Sequence, residues 1–95
     1  MAQTQQRIVH EQFFVSETPG VMGGYPCVGN TRIPVRLIVD FTRAGMSIAE
    51  LLEHYPQLTA DQIRGALAFY ATHPERVDED RATNEQAFAA LRARR

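Results

Sequence analysis

Two segments of the sequence, residues 48–55 and 60–70, carry apolar residues at the spacing of an α-helix. The apolar positions are Ile48, Leu51, Leu52 and Tyr55 in the first segment, and Ile63, Ala66, Leu67 and Tyr70 in the second. Residues three and four apart share one face of a helix, so each segment is predicted to bury these side chains in a core. The sequence therefore predicts two short helices separated by a few residues.

The same start signal precedes both predicted helices. Ser47 with Glu50, and Thr59 with Gln62, have the spacing of a capping box, in which the side chain and backbone of two residues satisfy each other's hydrogen bonds. Pro56 ends the first helix, because its ring disfavours the α conformation in the residue before it. The break of about four residues matches the turn of a helix-turn-helix motif.

The residues before these helices alternate between β-forming segments and turn residues. Residues 1–11 are predicted to be a loose N-terminus, and a strand is predicted around Gln12–Val15. Tyr25–Val28 and Thr31–Ile33 flank Gly29-Asn30, which favours a two-residue hairpin turn of type II′. The sequence thus predicts a small hairpin or three-stranded sheet.

A further helix is predicted between this β element and the helix pair. Pro34 suits the first helical position, where a missing N–H costs nothing. The helix is expected to run to Ala44 and to end at Gly45, a residue that readily adopts the left-handed cap conformation. Arg36 and Arg43 are expected on its exposed face.

The C-terminal residues 74–95 form a charged tail with five acidic and five basic residues. Its acids come early and its arginines late, which complements a helix dipole, and Thr83 with Gln86 offers a third capping box. Phe88 and Leu91 are its large apolar pair. A helix with so little apolar surface needs a support. Its own domain, a second copy of the chain and another protein all remain open as that support.

Composition narrows the function further. The chain of 95 residues with net charge −1 is one small domain with a marginal core, which a dimer interface or bound partner would support. One cysteine and three scattered histidines give no metal site, and no catalytic constellation or cofactor loop is present, so we expect neither an enzyme nor a cofactor. No membrane span or secretion signal is found in the sequence, and a cytoplasmic protein is expected.

Two motifs carry a resemblance to a known family. GYPCVGNTRIPV at residues 24–35, followed by IAELLEHYPQLTADQIRGALAFY at 48–70, resembles the small bacterial family known as domain of unknown function 433. The family shows a G-x-P-x-I-x-G-T-R-I-P-V box and then a Y-P-x-L-T segment. The match covers about Val15 to Ala71. Asn30 departs from the usual glycine, and the usual acid of the last helix is Gln62 or displaced to Asp61.

The resemblance implies a fold and a function. Family members are similar to homeodomain-like three-helix proteins and are regarded as VapB-type antitoxins that pair with a nuclease toxin of PIN-like fold. Together with the elements above, it predicts a mainly α protein: a three-helix helix-turn-helix domain at residues 12–73 with an N-terminal β-hairpin or sheet. The charged tail helix at 74–95 is predicted from its residues and lies beyond the resemblance. The resemblance implies a PIN-like toxin as partner and operator DNA as a possible one. We also expect a second copy of the chain as a partner, with the dimer formed through the β element.

Candidate residues follow for each partner. The predicted toxin-binding residues are Phe88, Leu91, Arg92, Arg94 and Arg95, because an arginine-ended helix would fit the acidic metal site of such a nuclease. The predicted DNA contacts are Arg32, Arg36, Arg43, Gln62 and Arg64. From Met46 to His73 a single arginine faces three acids, which is unfavourable for DNA. The alternative is therefore a protein-interaction module or homodimeric scaffold that keeps the helix-turn-helix fold and binds no DNA.

Arg32 has two interpretations. Its guanidinium either contacts a phosphate or an acidic partner, or bonds to nearby carbonyl or carboxylate groups and holds the hairpin to the next helix. The residues alone favour neither.

Overall fold

The computed structural model describes residues 6–93, which form four helices and a small three-stranded sheet. The elements are β1 (Ile8–His10), β2 (Val15–Glu17), β3 (Cys27–Val28), α1 (Val35–Arg43), α2 (Ile48–His54), α3 (Ala60–Thr72) and α4 (Pro74–Ala93). The mainly helical fold with an N-terminal β element and a C-terminal helix agrees with the sequence prediction. Residues 1–5, the first part of the predicted loose N-terminus, lie outside the described residues.

The sheet is antiparallel with the strand order β1-β2-β3. β1 pairs with β2 from Ile8 opposite Glu17 to His10 opposite Val15. The predicted strand around Gln12–Val15 is wrong, because Glu11–Phe13 form a 3₁₀ turn between two separate strands. Strand pairing also begins at Ile8, four residues before the predicted start of the ordered domain at residue 12.

The predicted turn at Gly29-Asn30 is present. The amide of Thr31 donates to the carbonyl of Val28 over 3.0 Å, and Gly29 has φ of 54° while Asn30 is not left-handed, as a type II′ turn requires. Its second arm is shorter than predicted. In place of a strand at Thr31–Ile33 there is one isolated bridge, between Cys27 and Pro34.

Both predicted capping boxes are confirmed. The Glu50 amide donates to Ser47 Oγ over 3.1 Å, and the Ser47 amide donates back to Glu50 Oε1 over 2.8 Å. Thr59 and Gln62 make the same reciprocal pair at 3.1 and 2.9 Å. Since an N-cap side chain stabilises a helix by about 1 kcal/mol, these short sequence motifs position α2 and α3 locally.

The other helix ends differ in detail from the prediction. Pro34 is the N-cap residue of α1 rather than its first helical residue, and α1 ends at Arg43, close to the left-handed Gly45. α4 begins at Pro74 and continues through Thr83. The third predicted capping box, at Thr83, is therefore wrong, because Thr83 lies inside a continuous helix.

The core lies where the sheet, α1, α2 and α3 meet. Its largest fully buried side chains include Phe69, Ile38, Leu51, Ile63 and Val15, and α4 adds Val77. Of the predicted inward positions, Leu51, Ile63 and Ala66 are fully buried, and the others pack partly buried at its edge.

Gly65 is not among the positions of α3 that were predicted to face the core, yet it is buried. Gly65 is buried beneath the turn between β1 and β2, where a Cβ atom would lie 2.3 Å from the carbonyl oxygen of Phe13. The 3₁₀ turn therefore covers part of the face that a DNA-reading helix would leave open. Only glycine permits so close an approach of a backbone to this helix.

Candidate functional site

α4 is one continuous helix with two different environments. Its first half, residues 74–84, includes the buried Val77 and Asp80 and packs on α1 and α3, whereas every residue from Glu85 to Ala93 is exposed. Nine helical residues span about 14 Å. We call residues 85–93 the exposed half of α4.

Arg76 connects the start of α4 to the sheet. Its guanidinium donates to Glu17 Oε1 over 2.8 Å and to the Gly24 carbonyl over 3.1 Å, and it lies 4.3 Å from the centre of the Tyr25 ring. Burial raises the pKa of the Glu17 carboxyl, but hydrogen bonds from Arg76 and His10 outweigh this, and the pKa is lowered overall. Glu17 is therefore held in its ionised form between two cationic or donor groups.

Arg81 makes a second connection, from α4 to α1. Its guanidinium contacts Asp40 over 2.7 Å and Asp78 over 2.8 Å. Tyr70 on α3 donates to Asp78 over 2.9 Å and accepts from Arg43 over 2.8 Å. These contacts fix the first half of α4 against two helices.

Arg36 and Asp80 form the third connection, and this ion pair is nearly buried. Their side chains are 12% and 10% exposed, with 3.3 Å between Arg36 Nε and Asp80 Oδ2. Burial raises the pKa of the Asp80 carboxyl, and the neighbouring charge of Arg36 only partly opposes it. Arg36 was predicted as a DNA contact, but its side chain is directed to α4.

The sequence analysis missed Glu17, Tyr25, Arg76 and Arg81. The spacing Arg76-Glu79 and Asp78-Arg81 is a local signal of helical ion pairs, and both pairs form. Their partners in β2 and α1 lie 59 and 41 positions away, and no local pattern reports them.

Three of the five predicted toxin-binding residues fall within the described chain, and all three lie on the exposed half of α4. Phe88 is 54% and Leu91 58% exposed, and residues three apart share one helix face. Arg92 follows on the next turn and is exposed. Arg94 and Arg95 lie outside the described residues.

The residues predicted to contact DNA differ in their exposure to solvent. Gln62 is partly buried and committed to its capping box with Thr59. Arg32, Arg43 and Arg64 are exposed. Arg64 pairs with Asp61 over 3.0 Å, so its charge is partly neutralised on α3 itself.

Within residues 6–93, no group of three histidine, cysteine or acidic side chains is arranged to hold a metal ion. Cys27 is buried, and burial, with the nearby Asp80, raises the pKa of its thiol to about 11. None of the helices in this part of the chain is long and apolar enough to cross a membrane.

Comparison with known proteins gives two relatives. A crystal structure of a DUF433 member protein from Anabaena variabilis ATCC 29413 superposes with a TM-score of 0.68, at 41% identity, over 75% of this chain and 70% of that one. The uncharacterized protein y4eO of Sinorhizobium fredii is 37% identical over 62 residues. That match covers 65% of this chain but 28% of the relative, so the shared segment is part of a longer protein there.

A family model described as "Protein of unknown function (DUF433)" matches residues 15–70, from β2 to near the end of α3. The matched segment is more than half of the 95 residues and includes the hairpin turn, both capping boxes and Gly65. α4 lies outside it. The chain belongs to the DUF433 family.

Proposed function

We propose that this protein is an antitoxin that binds a nuclease toxin of PIN-like fold through the exposed half of α4. The proposal rests on a contrast within α4. Three side-chain connections fix residues 74–84 to α1 and to the sheet, whereas Phe88 and Leu91, in the exposed half of α4, are each more than half exposed. A helix that is fixed at one end and exposes two apolar side chains at the other is suited to insert into a groove of another protein.

The net positive charge of the residues from Glu85 onward favours an acidic partner. The sequence from Glu85 to the C-terminus contains one acid and three arginines. A nuclease of PIN-like fold carries a cluster of carboxylates that binds metal ions, and arginine pairs with carboxylates in two parallel hydrogen bonds. The apolar pair would fill a groove while the arginines approach that cluster. The proposed complex forms in the cytoplasm.

The test uses the full chain with the PIN-like nuclease encoded beside its gene. Replacing Phe88 and Leu91 together by alanine removes two anchor side chains, so the dissociation constant should rise about 100-fold or more. Gln86→Ala, on the same exposed stretch, is the matched control. Calorimetry measures the affinity and RNA cleavage measures the inhibition. Unchanged affinity of the double variant, with unchanged helix content, would overturn the proposal.

A truncation that removes the residues from Glu85 onward and keeps the rest of the fold provides a second test. The deletion begins at Glu85 rather than earlier, because Asp78, Asp80 and Arg81 connect α4 to the remaining helices. A chain ending at Asn84 should unfold at nearly the same temperature as the full protein and lose binding of the nuclease. If the truncated chain still bound the nuclease, the interface would lie before Glu85 and the proposal would be wrong.

Binding of operator DNA by a homodimer is the second candidate, with α2 and α3 as a homeodomain-like helix-turn-helix. The exposed guanidinium groups of Arg32, Arg43 and Arg64 support it. The dimer would form through β1, an edge strand on which Ile8 is 53% exposed. Binding to DNA from upstream of the gene should fall with added salt and with Arg64→Ala, and Glu53→Gln is the control. A folded dimer without sequence-dependent binding would favour the interaction module that binds no DNA.

A further inference from the structure

A cleft of about 340 Å³ opens beside the hairpin turn, and no residue of α4 lines it. Its lining includes Arg7, Thr18, Asn30, Thr31 and Arg32, with the buried Cys27. We call it the arginine cleft. We propose that the arginine cleft binds the phosphate group of a small phosphate monoester. The proposed site is separate from the exposed half of α4 and does not depend on the antitoxin function.

The charges of the cleft favour an anion. Two guanidinium groups line it, and no carboxylate of residues 6–93 does. Arg32 is exposed and takes part in none of the side-chain hydrogen bonds or ion pairs found within that range. The interpretation in which Arg32 holds the hairpin to α1 therefore has no contact to support it. A planar guanidinium free of other partners is well suited to bind phosphate oxygens.

Arg7, the second arginine of the cleft, is held by a hydrogen bond to another residue of its lining. The Arg7 guanidinium donates to the side-chain carbonyl of Asn30, which leaves the amide nitrogen of Asn30 without a partner among the described residues. The Thr18 hydroxyl is likewise unused within residues 6–93. Arg7, Arg32, Asn30 and Thr18 together offer donors from four side chains around one space. Because phosphate oxygens accept several hydrogen bonds each, a set of donors with no competing carboxylate matches this ligand.

The walls of the cleft are fixed before any ligand arrives. The Gly29 amide donates to the Phe14 carbonyl over 2.6 Å, and the Thr31 hydroxyl donates to the Val28 carbonyl over 2.6 Å. Thr31 also accepts from the amide of Ile33 over 3.0 Å. A binding site built on a turn held by such contacts loses little conformational entropy when it binds.

A second, more apolar cleft of about 260 Å³ adjoins the first and shares Arg7, Ser16 and Asn30 with it. It adds Val9 and Phe14, and Phe14 is 47% exposed. Glu11 contributes a carboxylate to this second cleft but does not line the arginine cleft. The backbone holds Phe14 in the left-handed region at φ 53° and ψ 44°, a conformation that few bulky residues adopt. A flat organic group attached to the phosphate would lie against this ring, since stacking on aromatic side chains is favourable for planar ligands. A mononucleotide has both parts.

The test is calorimetric titration of the full chain at low salt with inorganic phosphate, AMP and adenosine. We expect AMP to bind more tightly than inorganic phosphate, and adenosine to bind weakest. Arg32→Gln should weaken AMP and inorganic phosphate by about tenfold or more. Phe14→Asn, which suits the left-handed conformation, should weaken AMP and leave inorganic phosphate unchanged. Gln57→Glu, an exposed residue outside the cleft whose replacement lowers the net charge by the same amount, is the matched control.

Asn30→Asp gives an independent variant if Arg32→Gln does not fold. It keeps a residue suited to the turn and places a carboxylate in the cleft, so phosphate binding should be lost. The proposal is overturned by an absence of saturable binding up to about 10 mM ligand. Equal losses in Arg32→Gln and Gln57→Glu would also overturn it, because binding would then reflect net charge. AMP that binds no more tightly than inorganic phosphate would overturn the monoester assignment.

Discussion

The backbone carbonyl of Phe13 lies against Gly65, at a distance where a Cβ atom on Gly65 would be 2.3 Å away. The contact joins the turn between β1 and β2 to the middle of α3. It accounts for the burial of a glycine within a helix, where glycine is about 1 kcal/mol less favourable than alanine. The contact also explains why the sheet covers one face of α3.

Replacement of Gly65 by alanine should therefore destabilise the protein. The gain in helix propensity is about 1 kcal/mol, but the turn at Phe13 must move, and overpacking typically costs about 1–3 kcal/mol. We expect a net loss of up to about 2 kcal/mol in the free energy of unfolding in urea. Ala68→Ser on the exposed face of α3 is the control. A stabilised Gly65→Ala variant would show that the turn does not pack there.

Glu17 should make stability depend on acid pH. Its pKa is lowered in the folded protein from the ordinary value of 4.5, so its ionised form contributes stability above that value. This contribution is lost as pH falls through 4.5 and further toward the lowered pKa. The raised pKa of Asp80 has the opposite sign, because the fold disfavours its ionised form as pH rises.

The measurement is urea unfolding from neutral pH to about pH 3. Glu17→Gln should be less stable than the native protein at neutral pH and should lose less stability on acidification. Glu85→Gln, on the exposed half of α4, should reproduce the native profile. Parallel profiles for Glu17→Gln and the native protein would contradict the role of Glu17.

Arg76→Gln should loosen the first half of α4 without unfolding the core. The variant loses the charged contacts to Glu17 and Gly24 and the stacking on Tyr25, and partly exposed ion pairs of this kind contribute about 1 kcal/mol. Hydrogen exchange should quicken at residues 74–84 of the variant, and the amides of α2 should keep their protection. Arg92→Gln is the control. Equal protection of α4 in both variants would mean that Val77 and the other ion pairs suffice.

Cys27 should be inert toward alkylating reagents in the folded protein. Its thiol is buried, and burial with the charge of Asp80 raises its pKa to about 11, so little reactive thiolate exists near neutral pH. Iodoacetamide should modify it rapidly in urea and slowly without urea, as mass spectrometry can measure. Rapid modification of the folded protein would show that the thiol of Cys27, which lines the arginine cleft, becomes accessible to reagents without unfolding.

The features predicted correctly from the sequence are those whose cause is local. The boxes at Ser47 and Thr59 need a partner three residues away, and the turn at Gly29-Asn30 needs the backbone freedom of one glycine. A pattern within ten residues contains the whole physical reason in each case. The helical core positions follow in the same way from a period of 3.6 residues.

The predictions that were wrong concern features that depend on contacts between residues far apart in the sequence. Gly65 gives no local sign that Phe13 covers it, and the capping signal at Thr83 is overridden because the helix already begins at Pro74 and packs on the body. Arg36 was expected on the surface, yet Asp80, far along the chain on α4, pairs with it. The arginine cleft could not be predicted for the same reason, because the fold brings together lining residues as far apart in the sequence as Arg7 and Arg32.

The unbroken course of α4 has a mechanical consequence. Because Arg76 at one end of this helix contacts Glu17 of the sheet, a load applied at Phe88 is transmitted along a stiff rod to β2. Under the proposed function, a partner that bound at Phe88 and shifted α4 would change the contact between Arg76 and Glu17, and a coupling of this kind would be reciprocal. A ligand that stabilised the sheet would then tighten binding at the distal end of the helix, and binding there would in turn protect the sheet from opening.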